Sequence, residues 1–231
     1  VRASCFKFMV KTLTKDSVTE MMLKAKNKEF DFDATDLVSA CVEFLAAKAF
    51  QIVKTEGFFK FDSDIILQMC KSDNSVIDEV DLYEAVIKWA KYRIEHDEKY
   101  KGKELKEVIA PFMRHIRYTK ITPEYLVQQL KPQGYIPTEL YLETIEYFAA
   151  GSVPPEGKEN DELYRERAKM FAGSTILGTS HSYQILKWLG ESYMDSDWEV
   201  IYKGSRDTFS TTAFHQKCDN KGETITLIQT P

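Results

Sequence analysis

Between residues 35 and 54, Val38, Val42, Leu45, Ala49 and Ile52 recur at alternating steps of four and three. That spacing gathers all five side chains on one face of an α-helix, behind a cap at Thr35 or Asp36. Residues 78–95 repeat the device with Val80, Tyr83, Ile87, Ala90 and Ile94, while Leu82, Val86 and Trp89 widen the buried face. Two such stripes commit this part of the chain to helices packed on helices.

Start signals extend the helical reading from residue 1 to about 150. Ser17-Val18-Thr19-Glu20 has the spacing of a capping box. Thr122-Pro123-Glu124 sets a hydroxyl before a proline suited to a first helical position. Pro137-Thr138-Glu139 opens a further helix, expected to bury Tyr141, Ile145 and Phe148. The stretch from Glu95 to Glu107 interleaves Lys99, Lys101, Lys103 and Lys106 with glutamates, which reads as a solvated connection.

Gly151-Ser152-Val153-Pro154-Pro155 breaks the pattern, and residues 156–169 then carry nine charges in fourteen positions. A segment so charged is expected to bury little, as a linker or a lone exposed helix, and 151–170 is taken as a charged linker. A helix is expected from about Ser180 to Leu189. Trp198, Val200 and Tyr202 then alternate, as do Ile225 and Leu227, so strands are expected at 198–203 and 224–228. Between them Ser205 or Asp207 can cap a helix carrying Phe209 and Phe214, and Asp219-Asn220-Lys221-Gly222 supplies turn chemistry. The expectation is an α+β chain: a helical domain over 1–150, a linker over 151–170 and a strand-containing domain over 171–231.

Composition narrows the function. Apolar residues at 43% and charged residues at 29% are those of an ordinary globular protein. A net charge of −5 argues against a general nucleic-acid binder. The most apolar run, Val38 to Val53, is interrupted by Glu43 and Lys48 and falls short of a membrane span. Cys5, Cys41, Cys70 and Cys218 are scattered, without a C-x-x-C pair, as expected of reduced thiols in the cytoplasm. The opening at Val1, inside a helical pattern, reads as a piece of a longer protein.

The residues with chemical potential are Ser205, Arg206, Asp207, His215, Cys218 and Asp219. A hydrolase reading needs a nucleophile beside its base and donors for an oxyanion. No G-x-S-x-G elbow is present, so capping and ion pairing are the expected roles, with Arg206 pairing a carboxylate such as Asp219. His215-x-x-Cys218 with Asp219 falls short of a four-ligand zinc site, and neither a metal nor a cofactor is expected. The glycines around Ser174 and Thr179 lack the spacing and the lysine of a phosphate loop. Trp89, Phe58, Phe59 and Phe61 are expected in the core rather than in a partner groove.

Cys5-x-x-Phe8, Asp16-Ser17, Phe58 to Phe61, Ile66-Leu67 and above all Asp78-Glu79-Val80-Asp81-Leu82-Tyr83-Glu84-Ala85-Val86-Ile87-Lys88-Trp89 resemble a BACK domain. This is the helical module that follows a BTB domain in many adaptor proteins. The resemblance covers residues 1–150 and makes 1–13 the tail of a BTB domain. Phe171 to Leu177, Gln184-Ile185-Leu186, Trp188-Leu189 and the block from Trp198 to Thr230 resemble the first half of a TLDc domain, the module of oxidation-resistance proteins. The family pattern has glycine after Ser-Arg-Asp where this chain has Thr208, and Pro231 falls near the middle of a usual TLDc domain. A β-branched residue at 208 is expected to resist positive φ and to sit in a helical first turn.

The resemblance implies a non-enzymatic adaptor. Its implied partners are a cullin-based ubiquitin ligase, contacted through a BTB domain and residues 1–30, and the vacuolar proton-pumping ATPase, contacted through TLDc. It also implies a role in protection against oxidative damage. The alternatives are a hydrolase-like enzyme using Ser205, Asp207, His215 and Cys218, and a structural scaffold that orients a BTB dimer.

Overall fold

Helix α1 (Val18–Lys26) starts without the expected capping box. Ser17 lies in the helical region at φ −90° and ψ −24°, so its hydroxyl does not reach forward as an extended cap residue does. Thr14 and Ser17 instead bond to each other, with backbone-to-hydroxyl distances of 3.0 and 3.1 Å, and Glu20 pairs with Lys24 at 2.6 Å. The computed structural model describes residues 8–30, 33–167, 171, 173–177, 179–190, 193, 196 and 198–229. Cys5 and the first part of the expected BTB tail lie outside them. The chain divides into two compact units, Val1–Arg167 and Ala168–Pro231.

The stripe over 35–54 folds as two helices, α2 (Thr35–Ala47) and α3 (Ala49–Ile52). Asp33, not Thr35 or Asp36, holds the start of α2, accepting from the Thr35 amide at 3.0 Å and hydroxyl at 2.6 Å. The break at Lys48 has a definite cause. In a continuous helix the Phe50 N–H would bond to the Ala46 carbonyl. Here the Val76 N–H donates to Ala46 at 2.8 Å and the Val76 carbonyl accepts from Phe50 at 3.1 Å. The Val76 backbone is thus spliced into the helical ladder. Leu37, Cys41, Leu45, Ala49 and Ile52 are all buried, while Val38 and Val42 pack at the edge of the core.

A 3-10 turn (Glu56–Lys60) brings Phe58 into the core, followed by Phe61, α4 (Ser63–Lys71) and α5 (Glu79–His96). The Asp78 carboxylate caps α5 by accepting from the Val80 amide at 2.9 Å. Trp89 is fully buried, edge-on to Phe112 at 5.3 Å and to Tyr100 at 5.9 Å. Phe59 is half-buried and lies 5.1 Å from Tyr92, so of the expected core aromatics it alone reaches the surface. Helix α6 (Leu105–Met113) packs on α5. Then α7 (Pro123–Tyr125) passes into a π-helical stretch (Leu126–Leu130) and a 3-10 turn (Lys131–Gln133). Pro132 has no N–H to continue an α ladder there. On α8 (Thr138–Ala149), Tyr141, Ile145 and Phe148 are half-buried against the core, and Thr144 is the fully covered residue.

Residues 158–167 correct the expectation of a segment that buries little. They run back along the helical unit as a strap. Lys158 and Tyr164 both bond to Glu143, at 2.8 and 3.0 Å, and the Thr119 hydroxyl donates to the Leu163 carbonyl. His115 Nδ1 lies 2.9 Å from Glu162, and Lys120 pairs with Glu166 at 3.1 Å. Arg167 Nε donates to Glu79 at 2.6 Å, with both side chains buried. The charge density expected to keep this segment from burying is directed partly inward, because complementary groups wait on α5 and on the loops beside it.

The second unit contains α9 (Thr179–Leu189), α10 (Gly204–Asp207) and α11 (Thr211–Cys218). Regular structure among the described residues is helical throughout, so neither 198–203 nor 224–228 is a strand there. Alternation of burial specifies which side chains face inward, but a strand also needs a neighbour to take its backbone hydrogen bonds. The facing pattern survives in the second segment, where Ile225 and Leu227 are half-buried with Thr226 and Ile228 outward, but not over 200–203, which are all half-buried. With Trp198 they pack on Phe171, Leu177 and Leu186, and the Trp198 ring stands 5.0 Å from Phe171.

Candidate functional site

Of the polar residues singled out in the second unit, Arg206 converges on Asp207 and His215, separately, on Asp219. Helix α10 begins after Lys203, whose amide donates to Asp207 Oδ2 at 2.9 Å, so Asp207 reaches back to hold the start of its own helix. Arg206 grips the same carboxylate at 2.7–3.0 Å, and Lys217, from α11, donates to Oδ1 at 2.8 Å. Arg206 above all, then Lys217 and the Lys203 amide, hold the Asp207 carboxyl well below the usual carboxylate range. A carboxylate so occupied ties α10 to α11; it has little capacity left to take up a proton.

His215 pairs through Nδ1 with Asp219, at 3.0 and 3.2 Å, one helical turn along. Its neighbour in the hydrogen-bonding sense is therefore a carboxylate at the end of its own helix, not Ser205. Ser205 and Arg206 are exposed on α10, while Cys218 is a half-buried free thiol at the last position of α11. Arg206 pairs with Asp207, not with Asp219 as expected. Ser210 caps α11 by accepting from the Ala213 amide at 3.4 Å, which displaces the expected caps Ser205 and Asp207. Among the described residues no group of three or more His, Cys, Asp or Glu could hold a metal ion.

Thr208 overturns its expectation. It sits between α10 and α11 at φ 72° and ψ 150°, a conformation that is almost the preserve of glycine. The β-branched side chain does not enforce a helical turn; the surrounding contacts impose the loop shape instead. The Tyr202 hydroxyl donates to the Thr208 carbonyl at 2.7 Å, and the Tyr202 ring is edge-on to Phe214 at 5.2 Å. Phe209, expected on the helix, lies outside it at 89% exposure. Trp188 and Ile228 in the same unit are also exposed, at 76% and 81%.

The first unit holds a polar cluster that the sequence reading missed. Arg117 is fully buried; it pairs with Asp73 and donates to the Arg165 carbonyl at 3.4 Å. Glu79 accepts from the Arg117 amide at 3.0 Å as well as from Arg167. Burial, and then the nearby Arg167 charge, lower the affinity of the Arg117 guanidinium for its proton. The one advance signal was the paired acid Asp78-Glu79 at a helix start, where a single carboxylate suffices for the cap. Nothing in the local pattern marks Arg117 or Arg167.

Comparison with protein families separates the chain along the same lines. The family described as BACK (BTB And C-terminal Kelch) matches residues 30–131, and the TLDc domain matches residues 170–231. No solved structure matches the chain. The BACK match is narrower than the 1–150 read from sequence. It runs from just before α2, through the capped α5 with Trp89, to the 3-10 turn at Lys131. The TLDc match takes in α9, α10 and α11 with the Asp207 tie. This chain is a BACK domain over residues 30–131 followed by TLDc-domain sequence over residues 170–231.

Proposed function

We propose that the chain is a non-enzymatic interaction protein of the BTB/TLDc type, acting in the cytoplasm as an adaptor. The observation that carries this reading is the display of Trp188, Phe209 and Ile228 at 76–89% exposure in the TLDc part. Side chains of that size left in water are suited to contact with another protein. The pairing of Asp207 with Arg206 and Lys217, and of His215 with Asp219, supports the same reading, since these groups satisfy one another. No helix among the described residues is long and apolar enough to cross a membrane.

The partners we propose are a cullin-based ubiquitin ligase, through residues 1–30 together with a BTB domain, and the vacuolar proton-pumping ATPase, through the TLDc part. A role in oxidative-stress protection goes with the second. The test is binding of the full-length protein to the purified cullin and to the soluble sector of the proton pump. Binding is measured for the parent and for Trp188→Ser and Phe209→Ser. Both positions are exposed, so neither change disturbs a core. Pump binding reduced at least tenfold in either variant, with cullin binding intact, is the expected result. Failure to bind either partner overturns the proposal. So does labelling by serine- or cysteine-reactive probes that disappears, together with hydrolytic turnover, in Ser205→Ala or Cys218→Ala.

A further inference from the structure

The strap over residues 158–167 is held in a different way from the helices it covers. Its deepest anchor is Arg167. Nε and Nη2 reach Glu79 at 2.6 and 3.3 Å, Nη1 donates to the Ser72 carbonyl at 2.8 Å, and Nη2 also donates to the His115 carbonyl at 3.1 Å. Glu79, Ser72 and His115 belong to three separate places in the helical unit, and Arg167 draws on all three. Further out, Arg165 pairs with Asp73 at 2.9 Å, Lys158 with Glu143 and Glu166 with Lys120, and Glu162 lies 2.9 Å from His115 Nδ1. Tyr164 supplies the main apolar burial, with half-buried Leu163 beside it.

The satisfaction is incomplete. Arg117 Nε, Arg165 Nε and Glu162 Oε1 are buried without a hydrogen-bond partner. A buried ion pair is roughly neutral against water, where each charge regains its hydration, whereas the helices are held by a continuous apolar core. On the other side of the strap lies a hinge. Residues 151–161 are exposed apart from half-buried Pro154, Gly151, Ser152 and Gly157 have positive φ, and Pro154-Pro155 stiffens the middle. Arg167 is the last residue of the first compact unit, and Ala168 is the first of the second.

We propose that the strap is a separately opening latch, with Arg167 in the Glu79 pocket as its bolt, and that it sets the length of the tether between the BACK and TLDc parts. When the latch is docked, the tether ends at Arg167. When it is released, residues 151–167 join the tether and add a reach of about 20–25 Å. The pocket does not require this particular segment: any chain presenting an arginine to Glu79, Ser72 and His115 competes for it. Release therefore lowers the effective concentration of the TLDc part around any partner held by the BACK part.

The test is hydrogen exchange and small-angle scattering of the full chain, comparing the parent with Arg167→Met and with Glu79→Gln/Arg167→Met. The double variant keeps an acceptor for the Arg117 amide and leaves no unpaired buried carboxylate, so it serves if the single change unfolds the protein. Exchange at 158–167 is expected to rise at least tenfold while α4, α5 and α6 stay within twofold of the parent, with an increased radius of gyration. Unchanged protection of the strap overturns the proposal, because Arg167 is then not the bolt. Loss of protection in strap and helices together also overturns it, because the segment is then part of one cooperative unit. An unchanged radius of gyration with the strap released rules out control of the tether.

Discussion

The indole N–H of Trp89 donates to the Phe61 carbonyl at 2.9 Å, across 28 positions of sequence and with both side chains buried. One side chain thereby fills the space between Tyr100 and Phe112 and also ends the backbone of the 3-10 segment. Trp89→Ala is expected to destabilise the helical unit by about 3–5 kcal/mol. Trp89→Phe keeps a ring but leaves the Phe61 carbonyl unpaired, at a cost of about 1–3 kcal/mol. Denaturant melts of the two variants check the order; equal losses would show that the aromatic ring adds nothing beyond the hydrogen bond that both variants lose.

Thr208 carries backbone strain that glycine does not. At φ 72° and ψ 150° it holds about 1–3 kcal/mol of unfavourable conformation. Glycine's greater freedom in the unfolded chain offsets about 0.5–1 kcal/mol of the relief. Thr208→Gly is therefore expected to stabilise the second unit slightly, with slower hydrogen exchange in α10 and α11. Faster exchange would mean that the Thr208 side chain contributes contacts that outweigh its strain.

Gly57 meets the buried side chain of Thr19 so closely that an added Cβ would overlap the Thr19 hydroxyl. Thr19 lies in the core face of α1 and cannot swing away into water. Gly57→Ala is expected to cost about 1–3 kcal/mol through overpacking. Thr19→Ala should recover most of that loss, because the two residues form a coupled pair. Additive losses in the double variant, read from thermal melts, would place the clash elsewhere.

Burial pushes the Cys41 thiol up to about 11 and the Cys70 thiol up to about 12, from an ordinary 9.0. A raised folded value means that the folded state keeps its proton longer than the unfolded state. Below pH 9 the contribution to stability is fully present. It is lost as pH rises, up to about 11 for Cys41 and about 12 for Cys70. Stability measured from pH 8 to 11 should fall less steeply in Cys70→Ala than in the parent. Among the cysteines of the described residues, iodoacetamide at pH 8 should modify half-buried Cys218 before Cys41 and Cys70, which react only on unfolding.

The helical stripes were legible because burial on one face of a helix leaves a local, periodic record. Asp78 was legible as part of an acidic helix start for a similar reason: a cap acts within two residues of itself. The candidate polar site was legible in its membership but not in its pairing. Arg206 could reach several carboxylates, and only the approach of α11 gives Asp207 its second cation in Lys217. The Thr208 conformation ran against the residue's own preference, since contacts such as the one to Tyr202 overrode a cost of about 1–3 kcal/mol.

Sequence by itself determined that residues up to about 150 form amphipathic helices around Trp89, and that a differently textured part follows. Periodicity and capping act over a few residues and need no knowledge of the rest of the chain. Tertiary structure alone decided that Val76 splits the stripe between α2 and α3, and that the alternating segments around Trp198 and Ile225 are not strands among the described residues. It alone turned a charged run into a strap bolted by Arg167. Each of these depends on a hydrogen-bond partner far away in sequence, 88 positions for Arg167 and Glu79. Charge and alternation say what a residue can bond to; only the packed helices place that partner within reach.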